Sequence, residues 1–294
     1  VTLLFDPKLE LTVFTTDNQS TTIKDLHMDF DVKATVDSKP NQAKISVYNL
    51  STETRNRLKE KHQAVELLAG YGDDVSIIFR GTTTNVLHKK DGTGWRTDIY
   101  SGDGQKEFSE NFFSKSYSAG TTVKQIVKDM AATMGYSANT DTVLDTDTII
   151  KSVSYSGRAK DALDEITKDF DYSWSIQWGA LEILDSSGWL SNVPTAVVLR
   201  ADTGMLGSPT LIDRTDRNRK VVGVRVNSLL NPAIKPGRLI EIQSQSTATQ
   251  LGKLNKSAAA KTDANGVYIC KIVEYVGNNY GGEFAVKIEG DQRA

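Results

Sequence analysis

Three histidines, His27, His62 and His88, are the only imidazoles in the chain. Such groups could serve a zinc site or a general base, and helical metal sites show H-x-x-x-H or H-E-x-x-H spacing. Neither spacing occurs. His27 and His88 fall in stretches that read as strand, and His62 follows a charged helix. Any shared site would have to be made by the fold. Asp141, Asp145 and Asp147 lie in NTDTVLDTDT, which lacks the glycine and terminal glutamate of an EF-hand loop. The run reads as solvated loop, with a weak calcium site as the sharper alternative. Asp161, Asp164 and Glu165 share one expected helix, with Asp161 and Glu165 at i,i+4. They are the carboxylates that a wall-degrading hydrolase would use, or else an ordinary solvated helix face.

Gly70-Tyr71-Gly72-Asp73-Asp74 and Gly102-Asp103-Gly104 look like pieces of phosphate loops. Neither opens a helix after a strand with G-x-G-x-x-G spacing, so they read as turn glycines. No G-x-S-x-G elbow is present. Trp174, Trp178 and Trp189 could stack on a glycan. Period-2 spacing puts Trp174 and Trp178 on one strand face, which favours core packing. Asp213 and Asp216 alternate with Arg214, Arg217 and Arg219. That run is a polar surface or an ion-pair network between subunits. Cys270 is the single cysteine, so an internal disulfide and a thiolate metal cluster are both excluded. Within GVYICKIVEYV it reads as a small buried hydrophobe. No catalytic, cofactor-binding or metal-binding residue is assigned from these patterns.

The elements that would position these groups fall into three modules, as 294 residues exceed one ordinary β domain. Hydrophobic residues at 38% and charged residues at 24% describe a folded globular chain. A formal charge of −2 gives no general pull toward nucleic acid or anionic membrane. The start, VTLLFDPKLELTVF, reads as strand and not as a signal peptide. No run approaches the ~20 apolar residues of a membrane span, so stable membrane insertion is not expected.

Residues 1–104 alternate with period 2: Leu9, Leu11 and Val13, then Phe30, Val32 and Ala34, then Ala43, Ile45 and Val47, then Val75, Ile77 and Phe79. One short helix interrupts them, with Ser51 as its cap and Glu53 in its first turn. Residues 105–185 change period. Val123, Ile126, Val127, Met130 and Ala131 form one helical stripe, capped by Thr121 or Thr122 and closed by Gly135. Ala159, Ala162, Leu163, Ile166 and Phe170 form a second. YSWSIQW-GA-LEIL reads as a hairpin turning at Gly179-Ala180. Residues 186–294 return to alternation, with Val267, Ile269, Lys271, Val273 and Tyr275 expected on one face. Residues 244–266 are polar and are expected to be mobile or ordered only against a partner. Pro232 and Pro236 are expected to stiffen the turn before a strand at 238–243.

The ends of the outer modules are alike. FRGTTTNVLHKKDGTGWRTDIYSGD (79–103) and YICKIVEYVGNNYGGEFAVKIEGD (268–291) each run from a strand through a Gly-rich turn to an aromatic, Trp95 or Phe284, and close on Gly-Asp. Their register slips by one residue, which a β-bulge would absorb. Two similar β units separated by an insert are expected.

AKISVYNLSTETRNRL, VELLAGYGDD and SIIFRGTTTNV resemble the opening domain of bacteriophage tail baseplate hub proteins. SAGTTVKQIVKDMAATMG and YSWSIQWGALEIL are similar to the insert of that family. TGMLGSPTLIDRTDRNRKVVGVRVNSLLNPAIKPGRLIEIQS, followed by GVYICKIVEYVGNNYGGEFAVKIEG, resembles its second barrel. The ordered set covers nearly the whole chain. The resemblance implies a mainly β fold with an α/β insert, its two similar antiparallel β-barrel domains forming a ring in the oligomer. It implies a homotrimer that adapts a sixfold tail tube to a threefold central spike in the virion's baseplate. It also implies contacts with tail tube or distal tube, tape-measure and baseplate wedge proteins, with DNA met only in transit. As the chain closes at GDQRA, any lysozyme or spike domain is expected on separate proteins. A glycan-binding module of a tail or tail-like bacteriocin is the alternative.

Overall fold

The structure is a computed structural model, and it describes residues 6–14, 19–58, 63–103, 111–139, 147–185, 195–216, 219–249 and 263–293. The first β unit contains β1 (Pro7–Phe14), β2 (Ser20–Ile23), β3 (Met28–Thr35), β4 (Gln42–Tyr48), β5 (Ala64–Tyr71), β6 (Asp74–Asp91) and β7 (Gly94–Gly102). Helix α1 (Thr52–Arg57) joins β4 to β5, and the Ser51 hydroxyl accepts from the Thr54 amide at 3.1 Å. That bond satisfies one of the amides a helix start leaves free.

The middle segment packs β8 (Phe112–Tyr117), β9 (Ser137–Asn139), β10 (Val153–Arg158), β11 (Ser173–Gln177) and β12 (Ala180–Leu184) against α2 (Val123–Thr133) and α3 (Ala159–Asp169). Thr122 caps α2 by accepting from the Gln125 amide, and Gly135 ends it at φ +81°. The buried stripes of both helices meet Trp174, Ile176 and Leu181 in a core of their own.

The second β unit contains β13 (Val197–Leu199), β14 (Met205–Asp216), β15 (Arg219–Leu229), β16 (Leu239–Ile242), β17 (Ala248–Thr249), β18 (Gly266–Asn278) and β19 (Phe284–Gln292). The two β units share one strand order. In the first it is β3-β4-β7-β6-β5, and in the second β14-β15-β19-β18-β16. They also share one 14-stranded sheet, joined where β18 pairs antiparallel with β3, Ile272 opposite Thr35 through Asn278 opposite Asp29. Their buried side chains form one contiguous cluster, from Leu9 to Ile288. Sequence alone reads two separate modules here, because strands some 240 positions apart give no local sign of pairing.

Bulges correct two of the expected alternations. On β6, Leu67 faces Phe79 but Leu68 faces Ile77, so Ile78 is the extra residue. Ile78 and Phe79 are therefore both buried, while Val75 and Ile77 are only partly so. On β18 the register shifts at Lys271. The core face passes from Tyr268 and Cys270 before the bulge to Val273 and Tyr275 after it. A bulge inserts one residue, and one residue exchanges the faces of a period-2 strand.

Both similar hairpins carry a bulge at the same place, so the bulge does not absorb the slip between them: Gly102 pairs with Thr82, two residues before its bulge, and Gly290 with Cys270, one residue before its own. β6 shifts against β7 around Thr84, and β18 shifts against β19 around Lys271. The partner of the opening aromatic, Lys90 for Trp95 and Gly277 for Phe284, stands equally far beyond each bulge residue.

Candidate functional site

The face of the shared sheet that points away from the core carries paired charges across both units. Arg225 on β15 reaches Glu289 on β19 at 2.5 Å. Lys287 on β19 lies 3.7 Å from Glu274 on β18, which stands opposite Lys33 on β3. Asp31 stands opposite Lys44, and Lys44 lies 5.9 Å from the Tyr100 ring on β7. These rows follow from strand register, since residues directly opposite share a face. Each of these four cations, Arg225, Lys287, Lys33 and Lys44, thus has an acidic residue beside or opposite it.

The row ends in a tight network. The Ser46 hydroxyl donates to Asp98 at 2.7 Å, and Arg96 pairs with the same carboxylate at 2.9 Å. Burial opposes the charge on Asp98. The hydrogen bonds from Arg96 and Ser46 outweigh that burial and hold the carboxyl below its ordinary range.

The seam between the units is locked at its ends. Asn279, in the β18–β19 turn, accepts from the Met28 amide at 2.9 Å and donates to the Leu26 carbonyl at 2.8 Å. Phe284 meets Phe30 and Tyr71 edge-on, with ring centroids 5.7 and 5.3 Å apart. The Tyr71 hydroxyl donates to the Phe284 carbonyl at 3.2 Å.

The middle segment is seated on the other end of that seam by the β11–β12 turn. Gln177 donates to the Thr35 carbonyl at 2.7 Å, and Asn41 donates to the Ile176 carbonyl at 2.9 Å. The turn is Trp178-Gly179, one residue earlier than expected, because Gln177 pairs with Ala180. Both turn residues have positive φ, 52° and 83°, the geometry of a two-residue hairpin. Trp178 is bulky for that region. It is held there by packing on the sheet core and by Lys235, 4.4 Å from its ring. Glu182 and Lys235 line the same small pocket. Burial raises the Glu182 carboxyl above its ordinary value and lowers the Lys235 amine, the latter aided by Arg238. A wider cleft of about 740 Å³ lies beside this seat, between α3 and the end of the sheet, with Asp37, Asp164, Tyr172 and Lys271 on its walls.

The residues singled out for chemistry are scattered. His27 sits just before β3, not within a strand, 3.2 Å from Asp29 and stacked on Tyr48 at 4.3 Å. His88 lies on β6 against Thr97 at 3.0 Å, and His62 is outside the described residues. Among the described residues no three metal-binding side chains gather. Asp147 accepts from the Tyr172 hydroxyl; Asp141 and Asp145 are outside the described residues. Asp161 pairs with Arg158 at 2.8 Å. Asp164 pairs with Lys160 at 2.6 Å and accepts from the Trp174 indole at 2.8 Å. These carboxylates are engaged in holding the helix and its core.

Trp174 is fully buried, and the shifted turn takes Trp178 off its face; Trp189 is outside the described residues. Cys270 is buried, and burial pushes its thiol up to about 12. Gly72 is a turn glycine at φ +56°. Gly70 and Gly102 instead lie within strands, where a side chain on Gly70 would strike the Asp74 carbonyl. Asp213 lies on β14 opposite Val222, and Asp216 faces Arg219 at the hairpin end; Arg217 is outside the described residues. The charge rows and the seam escaped sequence reading. The one signal that points to them is the paired hairpin repeat.

A protein-family model, described as baseplate hub gp41, matches residues 8–290. The chain belongs to the baseplate hub gp41 family. The hub has the fold of a 43 kDa tail protein of prophage MuSo2 from Shewanella oneidensis, at TM-score 0.60 and 9% identity over 97% of this chain and 98% of that one. A tail protein from Neisseria meningitidis MC58 gives TM-score 0.62 and 9% identity, over 97% and 96%. The E. coli c3393 protein is a component of the type VI secretion system described as similar to T4 bacteriophage tail proteins gp27 and gp5. It gives TM-score 0.56 and 12% identity, over 92% of the hub and 74% of its own chain. Among curated protein sequences none matches the hub.

Proposed function

We propose that this hub acts as a structural adapter in the virion's tail baseplate. Three copies close head to tail into a ring, and the polar face of the shared sheet lines a central channel. Two alike units per copy then present six to a sixfold tail tube, while the copies themselves match a threefold spike. The observation that carries this reading is one strand order used twice within one continuous sheet. The charge rows fit a conduit for DNA in transit. Arg225, Lys287 and Lys44 each have an acidic neighbour at hand, so the wall offers phosphate no unbalanced cationic surface.

In this role the hub works by contact and not by catalysis. Its partners are the tube, spike, tape-measure and wedge proteins, and it is assembled in the host cytoplasm. The test is solution mass by light scattering across a concentration series. The expected result is a mass near three times 32.3 kDa. A strict monomer at every concentration, including in the presence of tube and spike proteins, would count against the ring.

A further inference from the structure

The two β units obey one rule inside the chain, and the rule leaves two edges over. In the second unit, β18 beyond its bulge has β19 on one side and β3 of the first unit on the other. The equivalent stretch of the first unit is β6 beyond its bulge, Asn85 to Asp91. Among the described residues it pairs with β7 only, because the β5–β6 pairing ends where Ala64 stands opposite Thr82. The strand equivalent to β3 is β14. Its outer edge is met by β17 alone, over Thr210 and Leu211. Among the described residues, one copy therefore ends in an edge of the β18 type that no second strand covers and an edge of the β3 type covered only by β17.

We propose that β6 of one copy pairs antiparallel with β14 of the next, in the register of the β3–β18 seam. This rests on the ring reading above and adds the strands, the register and the fate of β17. Superposing the bulge residues Thr84 and Lys271, and following the pairings outward, sets Leu87 opposite Ile212 and Lys89 opposite Thr210.

The faces agree. Leu87 stands opposite Asp98 on the polar face, and Ile212 lies on the same side of β14 as Thr210, the partner of Arg225. A half-buried leucine thus meets an isoleucine that is 9% exposed. Repeating the internal seam between copies gives every unit the same neighbour, which is the condition for a head-to-tail contact to close. β17 occupies Thr210 in the single copy, so it is a placeholder strand that must leave before Lys89 can arrive. Lys89 and Lys90 on one edge and Pro209 beside the other are the residues that keep bare edges from pairing at random.

Disulfide trapping tests this. Leu87→Cys/Ile212→Cys should cross-link under mild oxidation into a ladder ending at three chains. Leu87→Cys/Asp213→Cys, which places the thiols on opposite faces, should not. Native Cys270 is buried and leaves the readout clean. Lys89→Cys/Thr210→Cys carries its substitutions in place of a half-paired lysine and an edge threonine. It should link only when β17 has moved, and it serves if the first pair fails to fold. A threefold mass with no link at either pair would overturn the register while leaving the ring. A monomeric mass with no link would overturn both. Linking of the Leu87/Asp213 control as fast as Leu87/Ile212 would also overturn the register.

Discussion

The two β units place a bulge at the same point but fill it with different chemistry. In the first unit the bulge residue is Thr84, whose hydroxyl donates to the Tyr100 carbonyl at 3.1 Å. In the second it is Lys271, 5% exposed, with Asp291 3.9 Å away and 5% exposed. The neighbourhood explains the difference. Thr84 borders a shallow groove on the polar face, whereas Lys271 borders the cleft beneath the middle segment. The backbone device is the same. The side chain is set by what lies over it. A lysine expected from alternation to be one more strand residue is instead where β18 changes neighbours, from β16 to β3.

Perturbing each unit at its matched positions would break or sharpen this comparison. Phe284→Ala should have the largest effect, because that ring joins the cores of both units through Phe30 and Tyr71. A loss of about 3–5 kcal/mol is expected, read from denaturant unfolding. A single shifted transition is the signature of one shared core; two separate transitions would mean that the units fold independently.

Lys271→Met should cost about 3 kcal/mol, the penalty for leaving the Asp291 carboxylate buried beside an uncharged partner. Thr84→Ala, the matched change, should cost only about 1 kcal/mol, the worth of one hydrogen bond. Equal losses in thermal melts would dissolve the distinction between the two bulges.

Asp98→Asn should cost about 2 kcal/mol at neutral pH, since Arg96 and Ser46 both bond to the charged form. The folded state lowers this carboxyl, so its contribution is present above the unfolded value and is lost as pH falls through the folded one. Wild type and variant should therefore converge in Tm on acidification. A gap that persists in strong acid would contradict the assignment.

The smallest effect is expected at Glu182. Burial raises its carboxyl, so the fold favours the protonated form, and stability is lost as pH rises through the folded value. Glu182→Gln should match wild type in acid and gain up to about 1 kcal/mol at neutral pH. A loss at neutral pH would show that the Lys235 and Arg238 charges outweigh burial.

Much of this architecture was legible in residue types. The caps at Ser51 and Thr122 and the stop at Gly135 appear where local chemistry requires them. Local signals fail where an inserted residue exchanges strand faces. Ile78 and Lys271 break the period in a way that no hydropathy pattern marks. The alternation makes Trp178 a strand residue, because nothing in YSWSIQWGA distinguishes a tryptophan turn from a tryptophan strand. Only the pairing of Gln177 with Ala180 does. The seam was hidden for another reason. Asn279 and Met28 meet across the length of the chain, and the repeat of the two hairpins was the sole trace of a symmetric partner. The candidate chemistry was resolved by elimination of a physical kind. Asp161 and Asp164 of α3 hold Arg158, Lys160 and the Trp174 indole, and the described histidines sit in different environments.

The most direct test of the central claim is electron microscopy of the purified protein, with tube and spike partners added if it does not assemble alone. The account predicts class averages with threefold symmetry, six similar lobes around an open centre, and β-strands running continuously between neighbouring lobes. Particles with twofold symmetry, or a closed cluster of three copies without a central opening, would contradict it.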